Sequence, residues 1–231
     1  MLDRLAEPRG RRDADMDGDG GGHRRDHEPP AGREQPDGPE AGIGRFVRLA
    51  LYFYGAMLAA ALVWRMGLYR ESVLFASSAA EAAGIQPARD AGIGLAVGLA
   101  VVLGSHAATR RTGWGERLAR GLGEAIGPVS IPDALLLAMA SGLGEEMFFR
   151  GALQPRVGLL WASLLFGAVH FVPRRAMWPW TVFAMVIGGL FGALFEWTGN
   201  LVAPVVAHTV VNAINLPVLA RRYANGSTTA G

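Results

Sequence analysis

Six apolar runs set the main constraint on how this chain can fold. They cover about residues 46–64, 92–109, 132–149, 157–172, 179–197 and 202–220. A helix needs roughly 20 apolar residues, about 17–25 in practice, to cross the hydrocarbon core of a bilayer. Each run is near that length, so the spacing predicts an all-α, polytopic membrane protein of about six transmembrane helices. Residues 72–84 (SVLFASSAAEAAG) are apolar but short and carry Glu81. They are expected to form an interfacial or re-entrant helix, with a seventh span as the alternative.

Composition supports the same class. Of 231 residues, 51% are hydrophobic and 18% charged, too apolar for an ordinary soluble domain. There is no cysteine, which excludes disulfides, thiolate metal sites and cysteine nucleophiles. The net charge of +2 hides a division: residues 1–42 carry 11 acids against 7 Arg, and the remainder 15 Arg against 9 acids. The basic excess therefore belongs to the apolar part, where topology explains it better than nucleic-acid binding does.

The charges also orient the spans. With six crossings, Arg45/Arg48, Arg110/Arg111/Arg117/Arg120, Arg174/Arg175 and Arg221/Arg222 share one side. Arg65, Arg70 and Arg89, balanced by Glu71, Glu81 and Asp90, fall on the other with Arg150 and Arg156. The positive-inside rule then puts both termini in the cytoplasm. Residues 110–128 alternate Arg and Glu with Trp114, Leu118 and Leu122 and are expected to lie along that interface. Ser130, Pro132 and Asp133 are start signals for the third helix.

Three segments are expected: a disordered tail over 1–42, a helical membrane domain over 43–222 and a flexible end over 223–231. The first is rich in Gly, Pro, Asp, Glu and Arg, so it has too little apolar surface to offset the entropy of ordering. No apolar run follows its Arg pairs, so no signal peptide is expected there. His23 and His27 read as solvated tail residues.

Within the spans, a few polar residues stand out. Glu145 and Glu146 follow eleven small or apolar residues, Ala134–Gly144, and Arg150 lies four positions after Glu146. A charged group in a membrane helix costs roughly 2.5–3.5 kcal/mol on insertion scales. Glu146 and Arg150 share a helix face and can pair, which points Glu145 about 100° away. His170 ends the fourth span, one turn after Phe166; His208 and Asn212 share a face of the sixth. Taken singly, each has a structural reading as a hydrogen-bonded packing residue, and His106, beside Arg110, reads as interfacial. Taken together, they lie on three helices at membrane depth and need partners. A shared intramembrane polar cavity meets that need.

Such a cavity can hydrolyse a peptide bond. A carboxylate with an imidazole deprotonates water and later protonates a leaving amine. An imidazole and a carboxamide one turn apart can donate to an oxyanion. Alternatively, Glu145 with two His could hold zinc and polarise its water. The HExxH signature of soluble zinc proteases is absent, so the residues must converge through the fold.

The ordered set EExxxR (Glu145, Glu146, Arg150), FxxxH (Phe166, His170) and HxxxN (His208, Asn212) resembles the CAAX protease and bacteriocin-processing (CPBP, or Abi) family of intramembrane proteases. The likeness covers about residues 130–215, without departure at the motif residues. The family's eukaryotic member cleaves the last three residues from prenylated CAAX proteins. The resemblance implies Glu145 as general base assisted by His170, His208 and Asn212 as the oxyanion hole, and Glu146 and Arg150 as support with Phe166. It is compatible with zinc on Glu145, His170 and His208, or with a metal-free, glutamate-activated water. It further implies a membrane-embedded or membrane-anchored peptide or protein substrate, no nucleic-acid partner, and a bacterial plasma membrane as location. Two other readings compete: a non-catalytic scaffold or bacteriocin self-immunity protein that retains the motif, and a proton-coupled transporter. The lack of internal repeats weighs against the transporter.

Overall fold

The computed structural model describes residues 39–223, with side chains from Gly42 onward. The expected tail over 1–42 and the end over 223–231 fall almost wholly outside the described residues. At their edges, α1 already begins at Pro39, and Tyr223 still belongs to the last helix.

The described chain is helical. Its elements are α1 (Pro39–Leu62, extended by a π-helical turn Val63–Leu68), α2 (Ser78–Ala83), α3 (Pro87–Arg111), α4 (Gly113–Ile126), α5 (Ile131–Glu146, followed by a π-helical turn Met147–Leu153), α6 (Gln154–Val169), α7 (Trp178–Thr198) and α8 (Val202–Tyr223). Local chemistry sets several boundaries. The Ser130 hydroxyl accepts from Asp133 N at 3.2 Å with Pro132 in the first turn, so α5 starts where the sequence indicates. Gly199, at φ 75°, ends α7 in a left-handed cap.

Five helical stretches among the described residues are long and apolar enough to cross a membrane: Gly42–Leu68, Pro87–Arg111, Ile131–Val169, Arg175–Thr198 and Val202–Tyr223. They account for all six expected runs, because the third and fourth fall in one 39-residue stretch, which ends at Val169, three residues short of the expected end of the fourth. Held straight, 39 residues would reach about 58 Å, nearly twice the hydrocarbon core of roughly 30 Å. The stretch breaks instead at Gly158, whose φ of 80° and ψ of 165° are not helical.

Lipid-facing and protein-facing surfaces are sorted as a membrane requires. Large apolar side chains such as Leu103, Leu160, Trp161, Val186 and Trp197 lie exposed on the outside. Inside, α8 is the central helix, packed on α3, α4, α5 and α7. Small residues permit the close crossings. A Cβ at Gly98 of α3 would meet Ala207 O at 2.9 Å, one at Gly94 would collide with Ala203 O, and one at Gly142 of α5 would collide with Thr209. Helix α4 buries Gly115, Leu118, Ala119 and Gly123, packing against α3 and α8.

Residues 72–84 differ from expectation. Only Ser78–Ala83 is helical, too short to span, and the preceding residues run irregularly over the α7–α8 joint. Ala76 N donates to Gly199 O at 3.0 Å and Leu201 N to Leu74 O at 3.0 Å. These bonds satisfy backbone groups that a helix would otherwise pair internally. At the same end, Arg65 (Nε to Glu71 Oε2, 3.1 Å) and Arg156 both engage Glu71, and Asn200 Nδ2 donates to buried Asp90 at 2.8 Å. Of the charges assigned to one side by sequence, Arg65, Glu71, Asp90 and Arg156 engage partners there, whereas Arg150 does not and is buried against Glu146.

Candidate active site

A cavity of about 560 Å³ lies among α1, α3, α4, α5, α6, α7 and α8. Glu145, His170, His208 and Asn212 all line it, so the four residues proposed from sequence for the chemistry come together. Its apolar wall includes Phe166, Trp180, Phe183 and Phe191.

The two acids sit differently. Glu146 is fully buried behind the cavity wall. Its Oε1 receives Arg150 Nη1 at 3.0 Å, and the Arg150 Nη2 donates onward to Gly188 O at 3.1 Å. The i, i+4 pair inferred from sequence is therefore formed, and it also ties α5 to α7. The guanidinium lies 4.4 Å from the centre of the Phe166 ring, which explains why that aromatic belongs with the polar set.

His208 Nδ1 also lies on Glu146 Oε1, at 2.7 Å. Of the two acids, it is therefore Glu146 that holds the His208 ring. The carboxylate can only accept, so the proton is on Nδ1, and Nε2, on the far side of the ring, is the atom left for the cavity. Phe191 packs at 5.5 Å and holds the ring.

Glu145 faces His170. Its Oε2 is 3.8 Å from His170 Nε2, too long for a direct hydrogen bond. The same Oε2 is buried without a hydrogen-bond partner. His170 Nδ1 donates to Phe166 O at 2.7 Å, so the backbone fixes the tautomer and leaves the Nε2 lone pair toward the acid. The rings of Phe166 and His170 are 4.6 Å apart. One turn before the acids, Asn212 Nδ2 donates to Ser141 Oγ at 2.9 Å.

The zinc set Glu145, His170 and His208 is not assembled. Among the described residues no three His, Asp or Glu side chains form a group able to hold a metal ion.

The sequence reading missed Tyr54 and Ser141. Tyr54, on α1, lies against the Glu145 carboxylate in the cavity. It comes this close because Gly144 has no side chain; a Cβ there would meet Tyr54 O at 2.8 Å. A tyrosine in an apolar run gives no signal of its own, whereas Ser141, four residues before Glu145, could have been found by helical spacing. His106, expected at the interface, also lines the cavity, with its Nε2 buried and unpartnered.

Residues 127–214 match the family model described as type II CAAX prenyl endopeptidase, Rce1-like. The uncharacterized protein YpbD of Bacillus subtilis (strain 168) is 45% identical over 87 residues, covering 37% of this chain and 44% of YpbD's own length. No solved structure matches. The matched segment contains Glu145, Glu146, Arg150, Phe166, His170, His208 and Asn212, and over these residues the chain is similar to the type II CAAX prenyl endopeptidase family.

Proposed function

We propose that this protein is an intramembrane endopeptidase that hydrolyses peptide bonds of membrane-embedded or membrane-anchored peptides or proteins. The observation that carries this reading is the unpartnered, buried Glu145 Oε2 lying 3.8 Å from His170 Nε2. A water held between these atoms satisfies both. Glu145 takes one proton as the water oxygen attacks the scissile carbonyl carbon, and the developing oxyanion accepts a hydrogen bond from Asn212 Nδ2 and, when the His208 ring carries a second proton on Nε2, one from that nitrogen. The C–N bond breaks as the proton passes, with His170 assisting, to the leaving amine. Glu146 and Arg150 hold the helices that carry these groups. The apolar cavity wall suits a substrate delivered from the bilayer.

Phe46 of α1, Arg110 of α3 and Arg222 of α8 line the same cavity, so the basic ends of these helices gather at one side. We infer that this side faces the cytoplasm of a bacterial plasma membrane. The mechanism uses no metal ion: cleavage by the purified protein is expected to survive exhaustive chelation, and loss of activity restored by zinc would overturn that part of the reading. The activity itself is tested by comparing protein termini in cells with wild-type and Glu145→Ala protein at equal abundance. New termini that require Glu145 support the proposal, and identical sets of termini refute it. A non-catalytic scaffold or immunity protein predicts full complementation by Glu145→Ala.

A further inference from the structure

Asn212 can stabilise an oxyanion only if its NH2 group, and not its carbonyl oxygen, faces the reacting carbonyl. A carboxamide can present either end, so something must choose. The choice is made on α5. Ser141 is buried, lies four residues before Glu145, and shares that helix face. Its hydroxyl donates to Ala138 O at 3.2 Å. With that proton committed, the oxygen is left as an acceptor, and Asn212 Nδ2 donates to it at 2.9 Å. One hydrogen of the Asn212 NH2 is thereby anchored, and the other remains on the same nitrogen. Both residues line the cavity. Their meeting depends on the close α5–α8 crossing at Gly142, where any side chain would run into Thr209.

We propose that Ser141 is a positioning residue: a hydrogen-bond acceptor that sets the Asn212 carboxamide so that its NH2 serves the oxyanion. It is neither nucleophile nor base, since its proton is held by the Ala138 carbonyl. This rests on the proteolytic reading above. It differs from interhelical packing in what it demands: a packing serine matters to stability, whereas a positioning serine matters to turnover and only through Asn212.

The test is a double-mutant cycle on the full chain in liposomes, using a fluorogenic membrane peptide that the wild type cleaves. Ser141→Ala is expected to lower kcat about tenfold, the weight of one hydrogen bond, with KM within about twofold. Ser141→Ala/Asn212→Ala is expected to be no slower than Asn212→Ala alone. Ser141→Cys, which keeps side-chain volume but is a poor acceptor, must also lower kcat, so a folding defect in the alanine variant does not decide the matter. Wild-type kcat in either single variant, or a full further loss in the double variant, overturns the proposal. Cleavage indifferent to Glu145→Ala and Asn212→Ala would instead defeat the protease reading itself.

Discussion

His208 Nδ1 and Glu146 Oε1 are 2.7 Å apart in the protein interior, and Arg150 reaches the same oxygen at 3.0 Å. One carboxylate thus joins the helix that carries both acids to the helix that carries His208 and Asn212. Glu146 is thereby taken up in holding the helices together, and in the proposed mechanism Glu145 is left to the water.

Removing Arg150 should therefore cost stability. Arg150→Met strands a buried carboxylate, a change that costs roughly 3–5 kcal/mol when a buried pair is broken. Glu145→Gln leaves the Glu146 network intact and should change stability far less. Thermal unfolding in a single detergent compares the two. Equal losses would contradict the division between the acids.

Tyr54 ties α1, outside the matched segment, to the Glu145 carboxylate. Tyr54→Phe keeps the ring and removes the hydroxyl. A hydrogen bond to a charged group contributes roughly 1.5–3 kcal/mol, so kcat should fall about 10- to 100-fold while the unfolding temperature stays near wild type. Steady-state kinetics on a defined substrate provide the check, and an unchanged kcat would remove Tyr54 from the site.

Gly98 is where α3 meets α8. Because a Cβ would sit 2.9 Å from Ala207 O and 3.0 Å from Val210 Cβ, Gly98→Val must push the helices apart. Overpacking of this kind costs typically about 1–3 kcal/mol. Since α8 carries His208 and Asn212, activity should fall with stability, and a variant as stable as wild type would contradict the packing.

Outside the spans, Glu71 offers a pH test. The hydrogen bond from Arg156, with Arg65 nearby, holds its carboxyl below the usual range. A carboxylate lowered on folding stabilises above its unfolded pKa, and that contribution is lost as pH falls through the folded value. The gap in unfolding temperature between wild type and Glu71→Gln should thus be present at neutral pH and close on acidification. A gap that widened at low pH would contradict the assignment.

Much of this architecture was legible in the sequence, and the reasons are local. Apolar run length marks the spans, and i, i+4 spacing pairs Glu146 with Arg150 and places His208 beside Asn212. What was hidden depends on how helices rotate against one another. The partner of His208 is Glu146 and not Glu145 because α5 and α8 cross closely at Gly142 and Thr209, and no periodicity within one helix reports that angle. Tyr54 was hidden for the same reason. The break in the stretch that joins the third and fourth runs turns on the single backbone conformation of Gly158, and the irregular course of residues 72–76 on pairing with residues 199–201, over a hundred positions away.

The central claim is that Glu145, beside His170, activates the water that cuts the substrate. Glu145→Gln keeps size and removes only the basic oxygen. Reconstituted in liposomes with a peptide that the wild type cleaves, this variant should lose cleavage while retaining wild-type folding and substrate binding. Cleavage at the wild-type rate by folded Glu145→Gln protein would contradict the account.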